Sequence, residues 1–248
     1  MPLKERKPIH HVNAEIIFIL AEASLELIPK TLYKHPDVIR YARFRKKRTD
    51  RLILDATYHY RAMRNAKLDN LNKRGRPDIV HRALLLLQDS LLNKHGFLRV
   101  YIHTITGDII WINPKARLPR HYIRFIGLME KLFEGGIIYS SETNEKLLEL
   151  LKLDYESLIK RLKPVRVIGF SRHGVLVKDL TSFLIKISNS PKNLRVINVI
   201  GAFPKGKFSD NIIKSFDTLV SLSSHSLSTQ YVVCKVLNAY EQLIFSHY

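Results

Sequence analysis

Arg117, Arg120 and Arg124 recur at i, i+3 and i+7 in the stretch Asn113–Phe125, NPKARLPRHYIRF. A guanidinium offers phosphate oxygens a planar fork of donors, so three on one rim would form a phosphate reader. A solvated helix face accounts for the same stripe equally well. Arg76 stands two residues before Asp78 in Gly75-Arg76-Pro77-Asp78-Ile79-Val80-His81. In a tight turn that carboxylate can fix the guanidinium's orientation. Asp78 also falls in the first turn of a helix, where the macrodipole favours an acid, so a capping role competes. A direct role for Asp78 as general base is less favoured than orienting Arg76, because an aspartate beside an arginine is a weak proton acceptor at neutral pH.

The charge balance sharpens the reading of these arginines. The 248 residues carry 41 Lys and Arg against 22 Asp and Glu, a net charge of +19. Such an excess implies a polyanionic partner, nucleic acid first. A membrane surface ranks well below it, because no helix with a strongly basic face stands apart from the core pattern. The longest apolar runs, Ile16–Ala21 and Ala83–Leu87, are far too short to span a bilayer. The run Arg40–Arg51, which contains RFRKKR, reads as an RNA-facing patch, a nuclear address or a solvated face. Cys234 is the single cysteine, which excludes an internal disulfide and a cysteine-based zinc site. It is expected as a packed thiol on the apolar face of the last helix. The histidines show no metal-ligand spacing. Residues 1–11 are polar, are expected to be mobile, and carry no signal-peptide pattern.

The elements that must position these residues follow from periodicity. Glu15–Leu20 predicts a buried strand, Ala21–Pro29 a loop leading into a helix, and Leu52–Asp55 a short strand. Thr57–Leu71 is polar and basic. Ile79, Ala83, Leu86 and Leu87 predict the core face of the helix after Arg76. Leu98–Thr104 and Ile109–Asn113 predict a hairpin turned at Gly107-Asp108. Pro119 suits a first helical turn, so a helix is expected from there to Phe133, with Tyr122, Phe125, Ile126, Met129, Leu132 and Phe133 inward. Ser140–Lys163 has leucines at helical spacing and predicts one or two helices. Val165–Phe170, Leu194–Ile200 and Val220–Leu222 predict strands, alternating with helices at Lys178–Ser188 and Leu227–Phe245. This order is α/β with a largely parallel sheet, whose ligands bind beyond Phe170, Ile200 and Leu222.

After the strand Leu194–Ile200 the chain nearly spells a P-loop, Gly201-Ala202-Phe203-Pro204-Lys205-Gly206-Lys207. Phe208 stands where a magnesium-holding Ser or Thr belongs, and Pro204 removes an N–H from a loop that should cradle phosphates. A nucleotide triphosphatase is therefore disfavoured.

RPDIVH, then DSLLNK at Asp89–Lys94, then LRVYIHT at Leu98–Thr104, then RLPRHYIRF followed by GLM, taken in order, resemble the ribosomal RNA pseudouridine-N1-methyltransferases of small-subunit biogenesis. These belong to the SPOUT superfamily of trefoil-knotted methyltransferases. The resemblance runs from about Ile16 to Leu243. It departs at Leu91, where many members have proline, and at Ser228-Thr229, where small residues usually stand. It implies a single α/β domain over residues 1–248, a knotted, largely parallel sheet flanked by helices. Residues 135–164 would be a helical insertion and 165–248 the knot and cofactor region.

The resemblance further implies S-adenosylmethionine, held by Phe170, Gly201, Gly206, Leu222, Ser223, Ser224, His225, Ser226 and Leu227, with Ser171 closing the wall beside Phe170. Arg76, Arg117, Arg120 and Arg124 would bind a hairpin of small-subunit ribosomal RNA, with Asp78 holding Arg76. A homodimer is implied, and neither a metal nor a membrane. The short N-terminus and the basic composition point to an archaeal, cytoplasmic protein; a eukaryotic source would make it nucleolar. A non-catalytic ribosome-assembly factor that binds the same RNA is the rival. It would have no reason to preserve the layout of Gly201, Gly206 and LSSHSL.

Overall fold

Strand β1 (Asn13–Ala23) is buried on both faces, with Ile16 to Ala21 all at 0 % exposure. It pairs in parallel with β2 (Leu98–Thr104) on one side and β7 (Asn193–Gly201) on the other, so that Ile16 faces both Leu98 and Val196. Helices cover both faces of the sheet, which is why the strand reads as a continuous apolar run rather than an alternation. The computed structural model describes residues 13–187 and 193–245. The expectation for residues 1–11, and the end of the helix expected to reach Ser188, lie outside them.

The remaining strands are β3 (Ile109–Ile112), β4 (Ile137–Tyr139), β5 (Lys146–Leu151), β6 (Arg166–Leu176) and β8 (Thr218–Ser221). The sheet order is β4-β5-β3-β2-β1-β7-β6-β8. The run from β2 to β8 is parallel throughout, while β3, β5 and β4 extend the other edge in antiparallel fashion. The hairpin expected of β2 and β3 forms, turned at Gly107, which has φ +93°.

The helices are α1 (Pro36–Arg45), α2 (Ala56–Asn65), α3 (Pro77–Asp89), α4 (Leu91–Lys94), α5 (Tyr122–Gly135), α6 (Tyr155–Leu162), α7 (Leu180–Ile187), α8 (Asp210–Ile213) and α9 (Thr229–Phe245). One sheet face, with Ile16, Phe18 and Leu20, packs on α3, α5 and α9. The opposite face, with Ile17, Ile19 and Ala21, packs on α6 and α8 through Tyr155, Leu158, Leu162 and Ile212. A separate cluster of Val38, Tyr41, Ala42, Ala62 and Met63 joins α1 to α2.

Several expectations are corrected. The Ser140–Lys163 insertion is half sheet: Lys146–Leu151 is β5, hydrogen-bonded between β3 and β4. Short leucine runs fit either period, and the open edge of β3 decides it. Only α6 follows the helical reading. Ala21–Ala23 remains strand, and the first helical turn after it comes at Lys30. The basic run at Arg40 begins in α1, and the polar stretch after Asp55 is α2, capped by the Asp55 side chain on the Thr57 N–H. Helix α5 starts at Tyr122 rather than Pro119. Leu86 is 40 % exposed, with Val80 and Leu84 filling the core instead. Cys234 is exposed, because α9 packs through Val233, Val236, Leu237 and Tyr240.

Candidate functional site

The parallel strands all run the same way, so their carboxyl ends share one edge, where an α/β sheet places its ligand crevice. Beyond β6, β7 and β8 lies a cavity of about 410 Å³. Phe170, Gly201, Gly206, Leu222, Ser223, His225, Ser226 and Leu227 line it together, as does Ser171. Ser224 does not. The Ser221 hydroxyl donates to the Ser223 carbonyl at 2.7 Å, and Ser224 lies exposed at the tip of the resulting turn. Sequence reasoning missed Arg172, His173 and Thr229 as wall residues. The first two were hidden because β6 was expected to stop at Phe170. Thr229 donates its hydroxyl to the Gly201 carbonyl at 2.7 Å, pinning the start of α9 to the end of β7.

Two glycines are required here for different reasons. A Cβ on Gly201 would lie 2.8 Å from the Phe203 ring, so the close approach the position permits is between parts of the loop itself. Gly206 has φ +126°, a conformation that other residues rarely adopt. The walls combine apolar surface from Phe170, Ile200, Leu222, Leu227 and Val232 with serine hydroxyls and backbone. A ligand with an aromatic base and polar ends suits that mixture.

The Arg76 turn is a separate construction. Pro77 occupies the first turn of α3, and the Arg76 N–H donates to the Ser24 hydroxyl at 2.7 Å. The guanidinium Nε and Nη2 donate to Asp78 Oδ1 and Oδ2 at 2.7 and 2.9 Å. This bidentate pair aims Arg76 and commits the Asp78 carboxylate to it. Burial pushes the Asp78 carboxyl up, but the hydrogen bond and charge of Arg76, with the charge of Arg82, more than offset it and hold the group below the ordinary aspartate range.

Arg117, Arg120 and Arg124 are all exposed. Only Arg124 lies within α5, so they do not form one helix face; Arg117 and Arg120 project from the extended segment ahead of it. Arg120 reaches Asp89 at 3.3 Å, but both are exposed and the contact holds it weakly. His81 ties this segment to α3. Its Nε2 lies 2.7 Å from the Pro119 carbonyl and its ring stacks on Phe125 at 4.4 Å. Accordingly His81 packs and hydrogen-bonds rather than binding a ligand.

The cavity and the Arg76 turn share a wall. Lys73 sits 4.8 Å over the Phe203 ring and donates to Glu22 Oε2 at 2.8 Å. Glu22 Oε1 accepts from the Ser209 N–H at 3.1 Å. The Lys205 N–H donates to the Asn72 carbonyl at 3.2 Å, and the Ser24 N–H to that of Ala202 at 2.8 Å. Glu22 holds φ +48°, uncommon outside glycine, at the point where β1 gives way to these contacts.

Among the described residues no group of three or more His, Cys, Asp or Glu side chains could hold a metal ion, and no helix is long and apolar enough to cross a membrane. The EMG1/NEP1 methyltransferase family matches residues 18–241. The chain is 42 % identical over 223 residues to the ribosomal RNA small subunit methyltransferase Nep1 of Thermococcus kodakarensis, covering 90 % of this chain and 96 % of that protein. It is 39 % identical over 233 residues to Nep1 of Staphylothermus marinus, covering 94 % and 98 %. The crystal structure of Archaeoglobus fulgidus Nep1 bound to S-adenosylhomocysteine superposes with a TM-score of 0.79 at 38 % identity, over 93 % of this chain and 98 % of that one.

Proposed function

Because the chain belongs to the EMG1/NEP1 methyltransferase family, we propose that it methylates N1 of a pseudouridine in a hairpin of small-subunit ribosomal RNA, as one catalytic domain acting in ribosome biogenesis. The observation that carries this reading is the shared wall. A cavity fit for S-adenosylmethionine abuts, through Lys73 and Glu22, the turn that aims Arg76 outward. When bound, S-adenosylmethionine supplies a sulfonium methyl that passes to N1, leaving S-adenosylhomocysteine and releasing the N1 proton to solvent.

Phe170, Gly201, Gly206, Leu222, Ser223, His225, Ser226 and Leu227 would hold the cofactor, and the loops at 202–209 and 222–228 would form the trefoil knot. The relative's bound S-adenosylhomocysteine supports this assignment. Arg76, Arg117, Arg120 and Arg124 bind the phosphates of the RNA, and its target base leaves the stack to reach the methyl. Asp78 positions Arg76. Its depressed pKa makes it a poor proton acceptor at neutral pH, whereas a general base should titrate near the working pH. The positive field of the arginines favours the N1 anion directly.

The same reading includes a homodimer. Its support is a groove of about 970 Å³ between α3 and α9, lined by Leu85, Leu86, Tyr231 and Leu237. Leu86, Leu91 and Tyr231 are large apolar side chains left exposed on or beside it. The decisive experiment incubates the protein with S-adenosylmethionine and a hairpin carrying one pseudouridine, then reads the nucleoside by mass spectrometry. Gain of one methyl at N1 is expected. RNA binding with no affinity for S-adenosylhomocysteine in a calorimetric titration would instead identify a non-catalytic assembly factor.

A further inference from the structure

Tyr58 stacks on Tyr41 with ring centroids 4.3 Å apart and planes 23° from parallel. The pair is built asymmetrically. Tyr41 is 7 % exposed and fixed from behind, its hydroxyl accepting from Arg45 Nη1 at 2.8 Å and its ring meeting the His59 edge at 4.9 Å. Tyr58 is 41 % exposed, and Phe44, whose ring is 6.5 Å from that of Tyr41, is 78 % exposed. A stack that served only to join α1 to α2 would bury its outer ring. Here the backing ring is buried and hydrogen-bonded while the outer ring is partly exposed to solvent.

The surroundings identify the occupant. The two helices that carry the stack hold Arg40, Arg43, Arg45, Arg61 and Arg64 against the single acid Asp37, which pairs with Arg40 and Arg61, while Arg43 and Arg64 are exposed with no acidic partner among the described residues. A partner that offers both flat π faces and negative charge to such a surface is a single-stranded segment of nucleic acid. The location agrees. Tyr58 lies in the first turn of α2, three residues past Asp55, which accepts from the Tyr122 hydroxyl at 2.5 Å. The Ala56 N–H donates to the Gly75 carbonyl at 2.8 Å, one residue before Arg76.

We propose that Tyr58, backed by Tyr41, is a stacking plate for an unpaired base of the bound RNA, placed beside the Arg76 phosphate contact. The proposal rests on the RNA substrate reading above and adds a side chain that recognises a base face rather than a phosphate. Such a contact releases no counterions, so it contributes affinity without contributing to the salt dependence.

The test uses the full chain and a pseudouridine hairpin. Tyr58→Leu keeps an apolar side chain and removes the π face; Tyr58→Trp enlarges that face. The leucine variant is expected to bind RNA at least about fivefold more weakly with the slope of affinity against salt unchanged. The tryptophan variant should stay within about twofold of the parent, and both should bind S-adenosylhomocysteine normally. To guard against a leucine variant that packs badly, the parent is cross-linked to a hairpin with 4-thiouridine placed along its loop. The peptide containing Tyr58 should carry the adduct. Equal RNA affinity of parent and leucine variant, an equal loss in the tryptophan variant, or adducts confined to other peptides would each overturn the plate. If the parent itself does not bind the hairpin, the substrate reading fails instead, so the two failures are distinguishable.

Discussion

The cavity beyond β6, β7 and β8 and the arginine surface around Arg76 are built by opposite means. The cavity is made of loops and strand ends whose backbone is fixed from inside, by Thr229 on Gly201 and by the Ser221–Ser223 turn. The arginine surface is made of side chains, one aimed by a carboxylate and three exposed with at most a weak partner. A ligand held by backbone depends on where the chain can go, so glycine positions and packing control it. A ligand held by exposed guanidiniums depends on charge and orientation, so salt and acid partners control it. The two should therefore fail separately, except where they share a wall.

Lys73→Met attacks the shared wall and should have the largest effect. It leaves Glu22, with a side chain 7 % exposed, without its cation, and removing one partner of a buried pair costs about 3 kcal/mol or more. Calorimetric melting should show that loss, and affinity for both S-adenosylhomocysteine and RNA should fall. Adding Glu22→Gln should restore most of the stability, since coupled partners are not additive. If only one ligand is affected, the wall is not shared in function.

Gly201→Val separates the regions. Its Cβ would meet the Phe203 ring at 2.8 Å, and overpacking of this kind corresponds to about a hundredfold loss of cofactor affinity. RNA affinity should stay within about twofold. Titration with S-adenosylhomocysteine and with the hairpin reads both, and normal cofactor binding would refute the pocket assignment.

Asp78→Asn and Arg76→Ala should each weaken RNA binding about tenfold, and the double variant little more. Under saturating RNA, Asp78→Asn should recover most of its single-turnover methylation rate. Intact binding with a collapsed rate would make Asp78 catalytic. A lower melting temperature with normal RNA affinity would make it a helix cap. The charged carboxylate is the form that holds Arg76. Because its folded pKa is depressed, the pair is complete above the ordinary aspartate value of about 4, and weakens only as pH falls through the lower folded value. The contribution of Asp78 to RNA affinity should thus be flat from pH 8 to pH 5.

Arg120→Ala is the smallest effect: a severalfold loss, with the salt slope lowered by about 0.7 to 0.9 for one phosphate contact. An unchanged slope would assign Arg120 to a solvated surface.

Much of the site is legible in the amino-acid sequence. The β7 run, the glycines after it and the Arg76–Asp78 spacing reflect local rules of strand burial, left-handed turns and short-range pairing. The ordered blocks from RPDIVH to RLPRHYIRF add family membership. Less legible is anything that depends on which edge lies open. Lys146–Leu151 has leucines at positions 147, 148, 150 and 151, which fit a helix until β3 offers the segment unpaired backbone groups. The aromatic pair Tyr41 and Tyr58 sits 17 positions apart on two helices that the polar composition of the region conceals.

What the sequence by itself determined was therefore the chemistry available and the local form of most elements. A basic chain with four arginines in two motifs, a largely parallel α/β core and a glycine-bearing loop after a buried strand all follow from residue type and spacing. The tertiary structure decided what those residues do together. It brought Lys73 to Glu22 across 51 positions and Ser209 to Glu22 across 187, joining pocket and arginine turn. It moved the start of α5 to Tyr122, splitting the arginine stripe. It also left Tyr58 exposed on its stacked partner, and exposed Cys234, which was expected to pack. The physical reason is that pairing and burial are set by neighbours distant in sequence, whereas propensity and spacing report only on the turn or strand in which a residue sits.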